Sequence, residues 1–368
     1  MLKKGHRHYE HEQLVFFSLL FSISPHAYRF IRNSGNLILP HPTTIRKITS
    51  NFPLNPSNEQ ASFNFLKYVE ERYKYVKEHE KNVVLMLDEI HLKPYFDYKG
   101  GDIVGFAFDS EQAATSAHTF MISSLCSNYK DVAHILPVKS ITADILFSII
   151  KKTIIGLENI GYKVIAIVTD NNAINGKAMS YFSDPPKMQI AYPHPVNPQR
   201  LLFYIIDAVH IFKCIRNNWL NQRNDGCCIF YPNFQDSHCI NKLETASFNT
   251  LRKLYELEHA QLVKYGYGLT LKALNPTNIE RQNVQLVVRI FNEFIVKALL
   301  EFGEKQSLNY YQGTAAFIEI ILRWWWVENV KSSDKGIRLK NVYMYPLTSL
   351  PKDERRCFLK QFIDWLDV

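Results

Sequence analysis

The sequence has 368 residues, of which 46% are hydrophobic and 21% are charged, and it carries a formal net charge of +8. This composition excludes a chain that is disordered over long spans, and the length predicts two or three domains. The basic balance is compatible with nucleic-acid binding but does not establish it, because many basic proteins bind no polyanion.

The first 80 residues are predicted to form a small helical segment. Two helices separated by Ser24-Pro25 are predicted over residues 10–33, since proline suits the first turn of a helix. A further short helix carries Arg46 and Lys47, which favours either a helix-turn-helix that binds DNA or a packing or dimerisation module. Another helix is predicted over residues 58–80, and the apolar stretch at 14–23 is too short to cross a membrane.

Two apolar stretches of the sequence end in aspartate. Val-Val-Leu-Met-Leu-Asp-Glu at 83–89 contains Asp88, and Lys-Val-Ile-Ala-Ile-Val-Thr-Asp at 163–170 ends in Asp170. Each is typical of a buried strand, and α/β folds place their chemistry at the carboxyl ends of such strands. In one sheet the two carboxylates would come close and would need a cation or a shared proton. The pattern indicates a two-metal site for phosphoryl transfer, although aspartate after a strand also commonly caps the next helix.

The stretch between these aspartates predicts a sheet that precedes a long helix. A Gly-Gly turn at 100–101 is followed by a predicted strand at 102–109, which pairs with the first, and by another at 133–141. A helix over 142–160 then leads to the strand that ends in Asp170. Three strands, a helix and a further strand is the order of a ribonuclease H-like fold. The sequence lacks the glycine-rich phosphate-binding motifs of P-loop and dinucleotide-binding proteins, which argues against those classes.

A third apolar strand, at 201–207, ends in Asp207 and runs directly into a predicted helix. On that helix His210, Lys213 and Asn217 fall on one face, at spacings of three and four residues. A basic face near a helix N-terminus can hold a phosphate, and the alternative is a solvated face beside a buried one. The pattern after residue 220 is mostly helical, with helices predicted over 248–263, 284–303 and 313–327.

Taken in order along the chain, these motifs resemble those of the P-element-type transposases and their THAP-containing relatives. Several uncommon motifs occur in the order typical of that family, and no single one of them would suffice. The matching motifs are Ser-Pro-His-Ala-Tyr at 24–28, Leu-Pro at 39–40, Thr-Thr-Ile-Arg at 43–46, Leu-Asp-Glu at 87–89, Thr-Asp-Asn-Asn at 169–172, Asp-Ala-Val-His-Ile-Phe-Lys at 207–213, Arg-Asn-Asn at 216–218 and Gly-Thr-Ala-Ala-Phe at 313–317.

The resemblance implies an α/β fold combined with an all-α part. It implies a ribonuclease H-like domain that is interrupted by a mostly helical insertion and preceded by a small helical segment. The expected boundaries are 1–80 for a helical segment that binds DNA or dimerises, 81–207 for the N-terminal part of the catalytic domain, 208–350 for a GTP-binding insertion and 351–368 for the start of the returning catalytic part.

The resemblance also implies metal-dependent DNA strand cleavage and transfer, the recombination reaction of a transposable element. Asp88 and Asp170 would be the catalytic residues and Mg²⁺ ligands, and Asp207, Lys213 and Asn217 would hold GTP. The implied partners are DNA, at transposon ends, and GTP, with self-association as a further expectation. The implied location is the nucleus, and no membrane partner is expected.

The sequence departs from the family pattern in two places. The third catalytic acid of the family, a glutamate, follows the insertion, and Glu354, Asp364 and Asp367 lie too early to match it. No cysteine and histidine spacing of a zinc-binding DNA module occurs before residue 80. We therefore expect a chain that is inactive as it stands but retains GTP binding.

Two alternatives remain open at this point. One is a non-enzymatic, domesticated fragment that binds DNA or protein without Mg²⁺ or GTP. The other is a nuclease of ribonuclease H type that uses three acids at strand ends, which would be Asp88, Asp170 and Asp207.

Overall fold

The computed structural model describes residues 9–49, 63–99, 102–108, 110–235, 243–259, 262, 264–330 and 332–367. The chain divides into two compact units. The first unit is Met1–Ile167 with Lys177–Tyr204, and the second is Val168–Gly176 with Ile205–Val368. In the described parts of the chain, no helix is long and apolar enough to span a bilayer.

The first unit begins with three helices, α1 (His11–Ile23), α2 (Pro25–Ser34) and α3 (Pro42–Thr49), which confirms the predicted helical segment. The break between the first two lies at Ser24, whose hydroxyl accepts the N–H of Ala27 at 3.2 Å and so caps α2. Tyr28 is fully buried, and its hydroxyl donates to the carbonyl oxygen of Pro40 at 2.8 Å. This bond fixes the extended link between α2 and α3 against the helices.

The helix predicted over residues 58–80 is shorter and interrupted, and its predicted start lies outside the described residues. A 3-10 turn at Phe63–Leu66 leads into α4 (Lys67–Tyr73), and a second 3-10 turn follows at Glu78–Glu80. The first turn directs Phe65 and Leu66 into the core, where they are almost fully buried.

A six-stranded sheet forms the centre of the first unit. Its strands are β1 (Asn82–His91), β6 (Ser116–Ser124), β7 (Lys130–Val138), β8 (Lys163–Thr169), β9 (Ala191–Pro193) and β10 (Leu201–Ile206). Their order across the sheet is β7-β6-β1-β8-β10-β9. β1, β6 and β7 are antiparallel neighbours, as the predicted order of three strands before the long helix requires.

The prediction that residues 102–109 form one strand paired with β1 is wrong. That region forms two small hairpins, β2 (Asp97–Lys99) with β3 (Asp102–Val104) and β4 (Phe106–Ala107) with β5 (Ser110–Ala113). The true partner of β1 is β6, in which Ile122 lies opposite Leu85. The sequence pattern did not predict β6, because the polar residues Ser116 and His118 interrupt its apolar residues. Both are nevertheless buried in the folded chain.

Helix α5 (Ala143–Ile160) packs closely against the turn that contains Phe63 and Leu66. The contact depends on Gly156, because a Cβ atom there would lie 2.3 Å from a methyl carbon of Leu66. The short helix α6 (Ala173–Ser180) follows β8.

The two faces of the sheet differ in burial. Leu85 and Phe120 lie on a face that is fully buried. On the opposite face Val132 and Ile135 of β7 and Phe203 of β10 remain 36%, 42% and 39% exposed. In β7 and β10, side chains therefore alternate between a buried face and a partly exposed apolar face.

The second unit is mostly helical, as the pattern after residue 220 predicts. Its helices are α7 (Ala208–Leu220), α8 (Phe248–Glu258), α9 (Leu271–Leu274), α10 (Val284–Val288), α11 (Glu293–Phe302), α12 (Tyr311–Glu328), α13 (Ser333–Leu339) and α14 (Glu354–Leu366). The helix predicted over 284–303 is two helices, because the side chain of Asn292 accepts the N–H of Phe294 at 2.9 Å and starts a new one.

A hairpin of β11 (Cys228–Pro232) and β12 (Leu243–Ser247) was not predicted. It packs against α12 at Gly313, where a Cβ atom would lie 2.3 Å from the carbonyl oxygen of Thr245. The hydroxyl of Tyr231 donates to the carbonyl oxygen of Gly313 at 2.5 Å. The Gly-Thr-Ala-Ala-Phe motif therefore has a packing role in this chain.

Aromatic side chains dominate the core of the second unit. Phe212 of α7 stacks on Trp325 of α12 with ring centroids 4.2 Å apart, and Trp219 packs edge-on against Phe248 and Phe317. Helix α14, which lies in the range 351–368 expected to start the returning catalytic part, adds further aromatic residues to this core. They are Phe358, Phe362 and Trp365.

We expect acid to destabilise the first unit through His134. Burial and the nearby Lys152 lower the pKa of His134 from 6.5 to about 4, so the unfolded chain takes up this proton first as pH falls. The free energy of unfolding therefore falls as the pH is lowered from about 6.5 to about 4, and the decrease between pH 7 and pH 5 is roughly 2 kcal/mol.

The measurement is urea unfolding at pH 7 and pH 5, followed by hydrogen exchange of the β6 and β7 peptides. Tryptophan fluorescence does not report this unit, because all five tryptophans lie in the second one. His134→Leu should lose much of the pH dependence, and His91→Asn, at an exposed histidine of the same sheet, should keep it. An unchanged pH dependence in His134→Leu would contradict the assignment.

Candidate functional site

Asp88 lies in β1, opposite Thr119 of β6. The strand continues for three residues beyond it, to His91, so the prediction that the strand ends at this acid is wrong. The burial of the strand ends at Leu87, however, and Asp88 is exposed. Its carboxylate accepts the N–H of Glu89 at 2.9 Å. Asp88 therefore lies where the strand leaves the core, with a carboxylate open to solvent.

Asp170 directly follows β8, as predicted. One of its carboxylate oxygens accepts the backbone N–H of Asn172 at 3.2 Å and the side-chain amide of Asn175. These bonds hold the carboxylate at the turn that starts α6. Asp170 therefore has a local structural role of the kind that the alternative interpretation proposed.

A shared metal site for these aspartates stays a prediction. Asp88 belongs to the first unit and Asp170 to the second. Within the described ranges, no group of three or more His, Cys, Asp or Glu residues is arranged to hold a metal ion. Two carboxylates nevertheless fit Mg²⁺ chemically, because this ion commonly takes one or two carboxylates and completes its shell with water and phosphate oxygens.

Asp207 is the N-cap of α7. Its carboxylate accepts the N–H of Val209 at 3.0 Å, and its own backbone N–H donates to the carbonyl oxygen of Thr169 at 2.8 Å. The second bond places the start of α7 beside the end of β8. The other carboxylate oxygen lies 3.9 Å from Nε2 of His210. One carboxylate oxygen therefore serves the helix cap, and the other faces the side of the helix that carries His210.

The predicted face of α7 is present in the structure. Lys213 is half-buried, and within the described part of the chain it makes no ion pair or hydrogen bond. Asn217 lies one turn later, and its side-chain oxygen accepts the Nε–H of Arg216 at 2.8 Å. Asp207 thus caps the helix that carries Lys213 and Asn217, which lie one turn apart.

Sequence reasoning missed a pair of arginines beside this face. Arg216 is fully buried, and one of its Nη groups donates to the carbonyl oxygen of Arg281 at 2.9 Å. Burial and the charge of Arg281 lower the pKa of Arg216 to about 10. In the sequence, the position of Arg216 near the predicted basic face was the only indication of this pair. No sequence pattern indicated Arg281.

Comparisons with known proteins agree with the strand order and the motifs. Residues 54–183 match a family model described as a TNP-like RNase H N-terminal domain. Residues 1–47 match one described as a transposable element P transposase-like HTH domain. The chain is 22% identical over 337 residues to the human DNA transposase THAP9. This match covers 85% of this chain and 34% of that protein.

A solved structure, the Drosophila P element transposase strand transfer complex, has the same fold. The two superpose with a TM-score of 0.73 at 18% identity, over 98% of this chain and 74% of that one. The predicted ribonuclease H-like fold, combined with a mostly helical part and preceded by a small helical segment, is therefore confirmed. The chain spans about a third of the length of the curated relative.

We expect Asp207→Ala to destabilise the second unit by about 1 kcal/mol, because the N-cap of α7 is lost. Asp207→Asn removes the charge but keeps a capping oxygen, so it should cost only a few tenths of that amount. Urea unfolding followed by tryptophan fluorescence measures both, since Trp219 lies in α7. Equal stability of the two variants would contradict the cap.

Proposed function

The chain is related to the P-element-type transposases, and from this premise we propose that it binds GTP through the Lys213 face of α7. We further propose that it binds transposon-end DNA in the nucleus and that these 368 residues alone do not transfer DNA strands. The observation that carries the nucleotide proposal is Lys213 itself, a half-buried lysine without a protein partner among the described residues.

The residues of this face fit a nucleotide in charge and hydrogen-bonding capacity. Lys213 supplies a positive charge for phosphate oxygens, and the amide group of Asn217 retains donors after its oxygen accepts from Arg216. The second carboxylate oxygen of Asp207 can accept hydrogen bonds from a base or ribose. GTP would contribute its triphosphate charge, and the chain would hold and orient it.

Two carboxylates support weak metal binding rather than full catalysis. Asp88 and Asp170 can each supply an oxygen ligand to Mg²⁺, which in a two-metal site stabilises the attacking and leaving oxygens. No third acid joins them in a metal-binding group within the residues described. We therefore propose that Mg²⁺ is held weakly and only with DNA phosphates present, and that strand transfer does not occur.

DNA binding is proposed for the first three helices. Residues 1–47 match the helix-turn-helix model, and α3 carries Arg46 and Lys47. The net charge of +8 adds a contribution that does not depend on DNA sequence and that weakens with salt. Self-association of the chain is a further part of the proposal.

A second candidate is a DNA-binding module without catalysis. The match of residues 1–47 to a helix-turn-helix model favours it. Binding to DNA that is unchanged by EDTA and by GTP would favour this candidate over a transposase-like complex. The ribonuclease H-type nuclease is disfavoured, because Asp207 caps α7 and belongs to the motif that carries the proposed nucleotide face.

We expect calorimetry to detect one GTP per chain. Lys213→Ala should weaken binding by at least about tenfold, since a charge contact to phosphate is lost. Lys253→Ala is the matched control, because Lys253 is an exposed lysine of α8 in the same unit, and it should bind as the wild type does. No binding to a well-folded wild type would refute the nucleotide proposal.

We also expect no Mg²⁺-dependent nicking or joining when the chain is incubated with labelled DNA. If such activity appears, is abolished in Asp88→Ala and persists in Glu89→Ala, the proposed inactivity is wrong. Glu89 is the appropriate control, because it is the neighbouring exposed carboxylate of the same strand.

A further inference from the structure

The buried Arg216 lies beside the half-buried Arg281, and neither has an acidic partner among the described residues. Arginine is almost never fully buried unless its charge is paired, and Arg216 is 0% exposed. It lies on the core side of α7, between Phe212 and Trp219, which are also fully buried. The sequence therefore places a permanent positive charge where the helix otherwise packs with aromatic rings.

The hydrogen bonds of Arg216 leave one group unsatisfied. Its Nε–H donates to the side-chain oxygen of Asn217 at 2.8 Å, and Nη2 donates to the carbonyl oxygen of Arg281 at 2.9 Å. Nη1 is buried and has no hydrogen-bond partner among the described residues. Both acceptors are neutral, so they satisfy donors without compensating the charge.

Arg281 repeats this arrangement nearer the surface. Its Nη1 donates to the side-chain oxygen of Asn221 at 2.8 Å, and its Nε–H is buried without a hydrogen-bond partner. The residue as a whole is half-buried, so one edge of the pair is open to solvent.

Among the described residues, no carboxylate forms an ion pair with Arg216 or Arg281. Burial lowers the pKa of Arg216, and the charge of Arg281 lowers it further. Burying two like charges together is unfavourable unless an anion compensates them. Two guanidinium groups with spare N–H donors match the oxygens of a phosphate-type anion, because they offer directed hydrogen bonds and charge together.

We propose that Arg216 and Arg281 form a binding site for a phosphate-type oxyanion, entered from the Arg281 side. The site uses residues other than Lys213, although Asn217, which the nucleotide proposal also uses, accepts the Nε–H of Arg216. The oxyanion comes either from free phosphate or from a nucleotide bound on α7. The proposal for free phosphate does not depend on GTP binding.

The test is thermal unfolding followed by tryptophan fluorescence, which reports the second unit alone because it contains all five tryptophans. The buffers are potassium phosphate and potassium chloride at equal pH and ionic strength. Phosphate should raise the Tm of the wild type by about 2–4 °C over chloride. Arg281→Gln and Arg216→Met should abolish this gain.

Arg289→Gln is the matched control. Arg289 lies in the same unit and donates to the carbonyl oxygen of Gly268 at 3.3 Å, so the variant loses an arginine and a hydrogen bond but not the pair. It should retain the phosphate gain. If Arg216→Met does not fold, Arg281→Gln still tests the oxyanion site. Arg281 is half-buried, and its replacement by glutamine keeps a polar side chain.

Three results would overturn the site. They are equal Tm values in phosphate and chloride for the wild type, a gain that survives Arg281→Gln, and a gain that Lys213→Ala abolishes. GTP titration separates the two sources of the oxyanion. A phosphate gain with no GTP binding supports the arginine pair and refutes the nucleotide proposal, and GTP binding that Arg281→Gln weakens identifies the nucleotide as the source.

Discussion

The stacking of Phe212 on Trp325 is the contact on which the second unit depends. It joins α7 to α12, and Trp219, two turns later on α7, continues the same aromatic core. Because one side of α7 is held in this core, Lys213 and Asn217 lie at its border, where they are half-buried. The candidate nucleotide face is thus a consequence of aromatic packing, and loss of that packing would remove the face together with the fold.

The aspartates of the candidate sites serve local structure and chemistry at once. Asp170 uses one carboxylate oxygen to hold the turn before α6, and Asp207 uses one to cap α7. A carboxylate has two oxygens, so a capping role leaves one available for a cation or a ligand. An aspartate at these positions can therefore have a structural role and a functional role at the same time.

Elements with strong local signals agree best between sequence and structure. The Ser24-Pro25 break and the aspartate after β8 stand where the pattern predicts them, because capping and strand burial are encoded by adjacent residues. β6 and the hairpin of β11 and β12 were missed, because their stability comes from partners distant in sequence. His118 of β6 is polar yet buried, and only its neighbours in the sheet explain why.

The sequence alone determined the class of fold, the positions of Asp88, Asp170 and Asp207, and the face that carries Lys213, since each follows from periodicity or from motifs of a few adjacent residues. Only the tertiary structure decided that Asp88 lies inside its strand and that Arg216 is buried against Arg281. The two arginines are 65 positions apart, and no local pattern relates them. They meet because the packed core brings α7 and the segment before α10 together, and the unpaired charge follows from that contact.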